Sequence, residues 1–144
     1  MENQEFDNKF SMSLDAKHIN EGFARSMVAT FCVQLNASIS EINDIKTAVS
    51  EAVTNSIVHG YSGETGEIYI FVGLKKNVVF IKISDKGVGI SDIQKARQPF
   101  FTTKSKEERS GMGFTLMESF MDTLNVYNNA DGGVTVEMSK EIKQ

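Results

Sequence analysis

An α+β domain is the fold class predicted by the amino-acid sequence, on two observations. Apolar residues recur at helical spacing in separate segments, and β-rich runs come in pairs joined by short turn-forming stretches. Phe10, Met12 and Leu14 alternate with polar residues, so 6–14 reads as a first strand. Across 18–35, Ile19, Phe23, Met27, Phe31 and Leu35 form one apolar stripe on a first helix, with Arg25 off that stripe. Ser40, with Asn43 as half a capping box, opens a second helix in which Ile42, Ile45, Val49 and Val53 keep helical spacing, with Gly60 as its stop.

Glu67 to Leu74 and Val78 to Asp85 flank Lys75-Lys76-Asn77 and read as a hairpin. A short helix, 91–97, cannot continue through Pro99, and the polar, aperiodic stretch 98–110 reads as a mobile loop. Gly111-Met112-Gly113 then opens a third helix carrying Phe114, Met117, Phe120 and Met121 on one face. Asn125 to Tyr127 and Val134 to Met138 close the chain as a hairpin around Asp131-Gly132-Gly133.

Composition narrows the function. The 144 residues carry a net charge of −4, which argues against direct nucleic-acid binding, because neutralising phosphates takes a surplus of Lys and Arg. One cysteine and two histidines cannot make a zinc site of the usual ligand count, and Cys32 reads as a small buried hydrophobe. The acidic opening, Met1 to Asp7, lacks the order of a signal peptide, and no apolar run is long enough to span a bilayer. A cytoplasmic location without membrane contact is expected.

A P-loop cannot occur, since no Gly-Lys pair is present, and the G-x-G-x-x-G pattern is absent too. On the second helix Glu51, Asn55 and His59 share one face, but a solvated polar face gives the same spacing. Asp85-x-Gly87-x-Gly89 follows a strand, where glycines allow a sharp turn and a carboxylate can meet a ligand; it is equally a capped turn. Gly111-x-Gly113 opens a helix whose free amides and dipole suit phosphate oxygens, or is simply a flexible helix entry.

In combination and in this order, Glu51-Ala52-Val53-Thr54-Asn55, Asp85-x-Gly87-x-Gly89, a loop with Lys104 and Arg109, Gly111-x-Gly113 and Thr135 carry more weight. They resemble the N box, G1 box, ATP lid, G2 box and terminal threonine of the GHKL (Bergerat-fold) ATPases and kinases. The runs 50–55, 96–99, 101–104 and 108–114 are similar to the anti-sigma factor serine kinases of that superfamily, and the similarity extends over about 23–136.

The resemblance implies one domain over 1–144, a two-layer sandwich of three main helices on a mixed, mostly antiparallel sheet, binding ATP or ADP with Mg2+. It implies that Asp85, assisted by Thr135, accepts from the adenine amino group. It makes Asn55 the magnesium ligand and Glu51 the catalytic carboxylate. Gly87, Gly89, Thr102, Thr103, Lys104, Ser110, Gly111, Met112 and Gly113 are implied to line the nucleotide, with Arg109 as sensor of the γ-phosphate. It further implies a sigma factor held by a homodimer formed through the first strand and first helix, an anti-anti-sigma factor phosphorylated on serine, and Arg25 as a contact for both. Without the resemblance Arg25 is equally an exposed solubilising arginine. Two other readings remain: a nucleotide-gated binding module without chemistry, and the catalytic domain of a histidine kinase.

Overall fold

In the computed structural model, which describes residues 5–98 and 113–143, five strands form one sheet with the helices on one of its faces. The elements are β1 (Asn8–Asp15), α1 (Ile19–Cys32), α2 (Ile39–Asn55), β2 (Glu67–Lys75), β3 (Val78–Ser84), α3 (Ile93–Ala96), α4 (Gly113–Phe120), β4 (Thr123–Asn128) and β5 (Val134–Glu141). Strand order is β1-β2-β3-β5-β4 and every neighbouring pair is antiparallel. The mixed, mostly antiparallel sheet that the resemblance implies is antiparallel throughout among the described strands. The closing hairpin docks through its second strand, which sets β5 antiparallel to β3.

Alternation along β2, β3 and β5 decides which face meets the helices. Ile68, Ile70, Val72 and Leu74 join Val79, Ile81, Ile83, Val136 and Met138 in the buried layer under Ile45, Val49, Val53 and Met117. Burying each such side chain contributes about 1.5–3 kcal/mol, whereas a surface ion pair is worth about 0–1 kcal/mol. The seam between sheet and helices thus outweighs pairs such as Lys140–Asp44. The other sheet face is polar and aromatic, and Phe6 lies across it over Gly73, with its ring 5.4 Å from Phe71 and 5.5 Å from Phe80.

The first helix departs from its sequence reading. Ala24, Val28, Ala29 and Cys32 face the core, while Ile19, Phe23 and Met27 of the predicted stripe are 82%, 52% and 39% exposed. Small side chains let α1 approach α2 closely, so Ile19, Phe23 and Met27 are turned outward; Phe31 of the stripe meets a β1 aromatic, Phe10, at 4.6 Å between ring centres. Burial pushes the Cys32 thiol up to about 12, which keeps it protonated and inert.

The second helix starts earlier than Ser40. Ser38 is the cap: its hydroxyl accepts from the Glu41 amide at 3.1 Å, and the Glu41 carboxylate accepts from the Ser38 amide at 2.9 Å, a complete capping box. Glu41 also accepts from the Lys143 amide at 2.8 Å. These amides, Lys143 first, hold its carboxyl below the usual range. Its stabilising contribution is full above the ordinary carboxylate pKa and is lost as pH falls through the lowered one. Among the described residues no helix is long and apolar enough to cross a membrane. Ser38→Ala is expected to cost about 1 kcal/mol, read as a Tm lower by a few degrees; an unchanged melting curve would contradict the capping assignment.

Candidate functional site

α2 does not end as a regular helix. After Asn55 the chain widens into a π-turn, Ser56–Gly60, closed by the Tyr61 amide on the Ser56 carbonyl at 2.9 Å. Such widened turns recur at functional sites because the added residue re-aims the side chains around it. Here Ser56 is buried and turned toward the end of β3, and Gly60 comes up beside the same residue, Asp85.

Asp85 is 4% exposed and its carboxylate is held by three donors. Oδ1 accepts from the amides of Gly87 at 3.0 Å and Val134 at 3.2 Å, and Oδ2 accepts the Ser56 hydroxyl at 2.8 Å. A buried charge without such partners would cost several kcal/mol. Gly87 is dictated by close approach: a Cβ there would lie 2.1 Å from the Gly60 carbonyl oxygen, and the Val88 amide donates to that same oxygen at 2.9 Å. Gly89 takes φ +81 beside Asn128, whose side chain bonds both the amide and the carbonyl of Ile90 at 2.8 Å. Both glycines of the turn therefore build the loop that positions the carboxylate.

The structure brings Asn55 and Gly113 together: a Cβ on Gly113 would sit 3.1 Å from Asn55 Nδ2 and 3.2 Å from Oδ1. The Asn55 carboxamide thus faces the start of α4, while Ser56 next to it reaches Asp85. Glu51, one turn earlier on the same helix face, is 7% exposed. Asn55 thus lies beside Gly113, its neighbour Ser56 lies on Asp85, and Glu51 is buried on the same helix. Among the described residues no group of three or more His, Cys, Asp or Glu side chains could hold a metal by itself. An amide such as that of Asn55 suits a hard cation that arrives with a phosphate-bearing ligand.

Thr135 is a correction. It pairs with Ser84 across the β3–β5 ladder, while Ile83, Val134 and Val136 face the core, so its side chain lies on the opposite face of the sheet. Its hydroxyl donates to Asn129 Oδ1 at 2.6 Å and meets Ser84 Oγ at 2.9 Å. The contribution of β5 at Asp85 is instead the backbone of Val134. Arg25 sits on α1 in an ion pair with Glu21, away from this cluster. Thr102, Thr103, Lys104, Arg109, Ser110, Gly111 and Met112 lie outside the described residues.

Sequence reasoning passed over Ser56, Gly60 and Asn129. A serine inside a helix, where it competes with the backbone for hydrogen bonds, was the available signal for Ser56. Asn129 Nδ2 donates to the Asp85 carbonyl at 3.1 Å and so ties the last turn to the end of β3, a contact made across 44 residues with no local pattern. A separate groove of about 650 Å³, on the outer sheet face between Lys9, Tyr69, Phe71 and Lys82, has no carboxylate in its lining among the described residues.

The profile of the histidine kinase-like ATPase domain matches residues 12–140. The chain belongs to the histidine kinase-like ATPase family. Within this GHKL-type family it is similar to proteins named anti-sigma F factor. That of Thermoanaerobacter sp. (strain X514) is 50% identical over 138 residues, 96% of each chain. That of Bacillus subtilis (strain 168) is 46% identical over 138 residues, 95% of this chain and 94% of the relative. Among solved structures, the RsbU and RsbW domains of a Mycobacterium tuberculosis protein share the fold with a TM-score of 0.67 at 20% identity; the match covers 94% of this chain and 32% of that one. The catalytic domain of the histidine kinase ThkA matches with a TM-score of 0.61 at 18% identity, over 92% of this chain and 99% of that one.

In this GHKL domain, Gly87→Ala should collide with backbone that no side-chain rotation can relieve. The expected cost is about 1–3 kcal/mol or more, measured by thermal unfolding; a variant as stable as the parent would refute the close approach of 60 and 87.

Proposed function

We propose that this chain is an anti-sigma factor that binds Mg-ATP at the Asn55–Asp85–Gly113 cluster and phosphorylates a serine of an anti-anti-sigma protein. The observation that carries the reading is the junction at the end of α2. Two consecutive residues, Asn55 and Ser56, face the start of α4 and the buried Asp85, so one helix end joins a phosphate-side group to a base-side group. The GHKL fold and the anti-sigma F factor relatives support it.

Bound ATP supplies the γ-phosphoryl group, and magnesium offsets its charge. Asp85 is the base-side acceptor, since a carboxylate can only accept from a ligand, and an adenine amino group donates where guanine would present a carbonyl. Asn55 offers an amide oxygen to the cation. Glu51, one turn back, is the general base that orients the serine hydroxyl and takes its proton as the oxygen–phosphorus bond forms and ADP departs. Lys104 and Arg109 in the segment between α3 and α4 are the proposed charge-stabilising side chains, with Thr102, Thr103, Ser110, Gly111 and Met112 beside the phosphates.

The names of the relatives support a sigma factor as the protein that is held, and the serine of an anti-anti-sigma protein is the proposed acceptor. The exposed row of Ile19, Phe23 and Met27 on α1, with β1 at the sheet edge, supports a homodimer through these two elements. Arg25, held by Glu21 on the same helix, is the proposed contact for either partner.

With labelled ATP, magnesium and the anti-anti-sigma protein, acid-stable label on serine is expected. Glu51→Ala should lower that transfer about 100-fold or more while still binding ATP; acid-labile label, or full activity in the variant, would reject the assignment. Asp85→Asn keeps an oxygen for the Gly87 and Val134 amides but points an NH2 group toward the base. ATP affinity should fall at least about tenfold with the fold intact, and unchanged calorimetric affinity would remove Asp85 from the base site. Phe23→Glu should shift the sedimentation coefficient to that of a monomer; a dimer of undiminished affinity would move the interface elsewhere.

A further inference from the structure

Ser56 has no part in the sequence motifs, yet its side chain makes the shortest bond to the residue on which base recognition rests. It is 5% exposed and its hydroxyl donates to Asp85 Oδ2 at 2.8 Å. An ionised carboxylate has about four acceptor positions, two on each oxygen. Both positions of Oδ1 are taken by the amides of Gly87 and Val134. Ser56 takes one of the two on Oδ2, and among the described residues no other donor reaches that oxygen.

We propose that Ser56 is a specificity-determining positioning residue: its hydroxyl leaves the buried Asp85 carboxylate a single acceptor position, matched to one N–H of a base amino group. This rests on the reading of Asp85 as the base-side acceptor and adds to it. With both Oδ1 positions and one Oδ2 position filled, the carboxylate cannot swing about its Cβ–Cγ bond without breaking a hydrogen bond. The remaining lone pair therefore has a fixed direction before any ligand arrives.

The surroundings restrict that direction further. Gly60 packs against the carboxylate so closely that a Cβ on it would lie 3.0 Å from Oδ2, so one side of this oxygen is walled by main chain. The π-turn is what makes both contacts possible, since it brings Ser56 and Gly60, its first and last residues, to the same oxygen. Without the Ser56 hydroxyl, Oδ2 would present two open acceptor positions and a rotatable carboxylate. Such a site still attracts an amino group but holds it less firmly and leaves more room for a water molecule, the usual intermediary to a carbonyl. Selection between a 6-amino and a 6-oxo purine is therefore the property that Ser56 controls.

The test compares two magnesium nucleotides, ADP and IDP, on the full chain by calorimetric titration. IDP differs in presenting a carbonyl where ADP has the amino group. The parent protein should prefer ADP. Ser56→Ala should weaken ADP about fivefold, the size of one hydrogen bond, and leave IDP nearly unchanged, so the preference contracts. Ser56→Cys, which keeps the volume but is a poor donor, should behave as Ser56→Ala does and guards against a folding defect in the smaller variant. Equal weakening of ADP and IDP, or an undiminished ADP preference in both variants, would overturn the role of Ser56 while leaving Asp85 as the base acceptor. A parent protein that fails to distinguish ADP from IDP would instead overturn the reading of Asp85, and this inference with it.

Discussion

A carboxylate that is 4% exposed must be surrounded by donors, and much of this molecule's local architecture is arranged to supply them to Asp85. One donor comes from the turn after β3, one from the backbone of β5 and one from the widened end of α2. Three elements distant in sequence are thereby pinned to one side chain. The close contact of Gly60 with Gly87, and the hydrogen bond from Val88 to Gly60, belong to the same knot. Without this side chain the three elements would lose the hydrogen bonds that they share, although the apolar seam between sheet and helices would remain.

That division of labour separates stability from chemistry. Aliphatic side chains of β2, β3 and β5 under α2 and α4 hold the two layers together, and none of them needs to know what is bound. Four polar residues are buried among those described: Glu51, Ser56, Asp85 and Thr135. Three of the four lie on one side of the sheet along α2 and the end of β3. The fourth shows how a strand's alternation overrides sequence proximity, because one step along β5 carries a side chain through the sheet.

Strand and helix order was legible from periodicity, because alternation and fourfold spacing report directly on burial. What periodicity could not reveal was which of two apolar stripes on α1 is the inner one. Ile19, Phe23 and Met27 look like a core, but Ala24, Val28 and Cys32 allow the closer helix approach, and packing distance decides. The start of α2 was misjudged for a local reason: Ser38-x-x-Glu41 carries the full capping-box signature, but it was passed over for the half signature of Ser40 with Asn43, two residues on. Of the candidate site, Glu51, Asn55, Asp85 and Gly113 could be singled out by motif-like spacing. Ser56, Gly60 and Asn129 were not, because each acts through a long-range contact with Asp85.

The capping carboxylate of Glu41 serves two clients: the opening turn of α2 and the amide of Lys143. A single proton added to it in acid weakens both grips at once, since both depend on the charged form. The last stretch of polypeptide and the first turn of the central helix are therefore coupled by one titration, and fraying at either place in acid should be accompanied by fraying at the other.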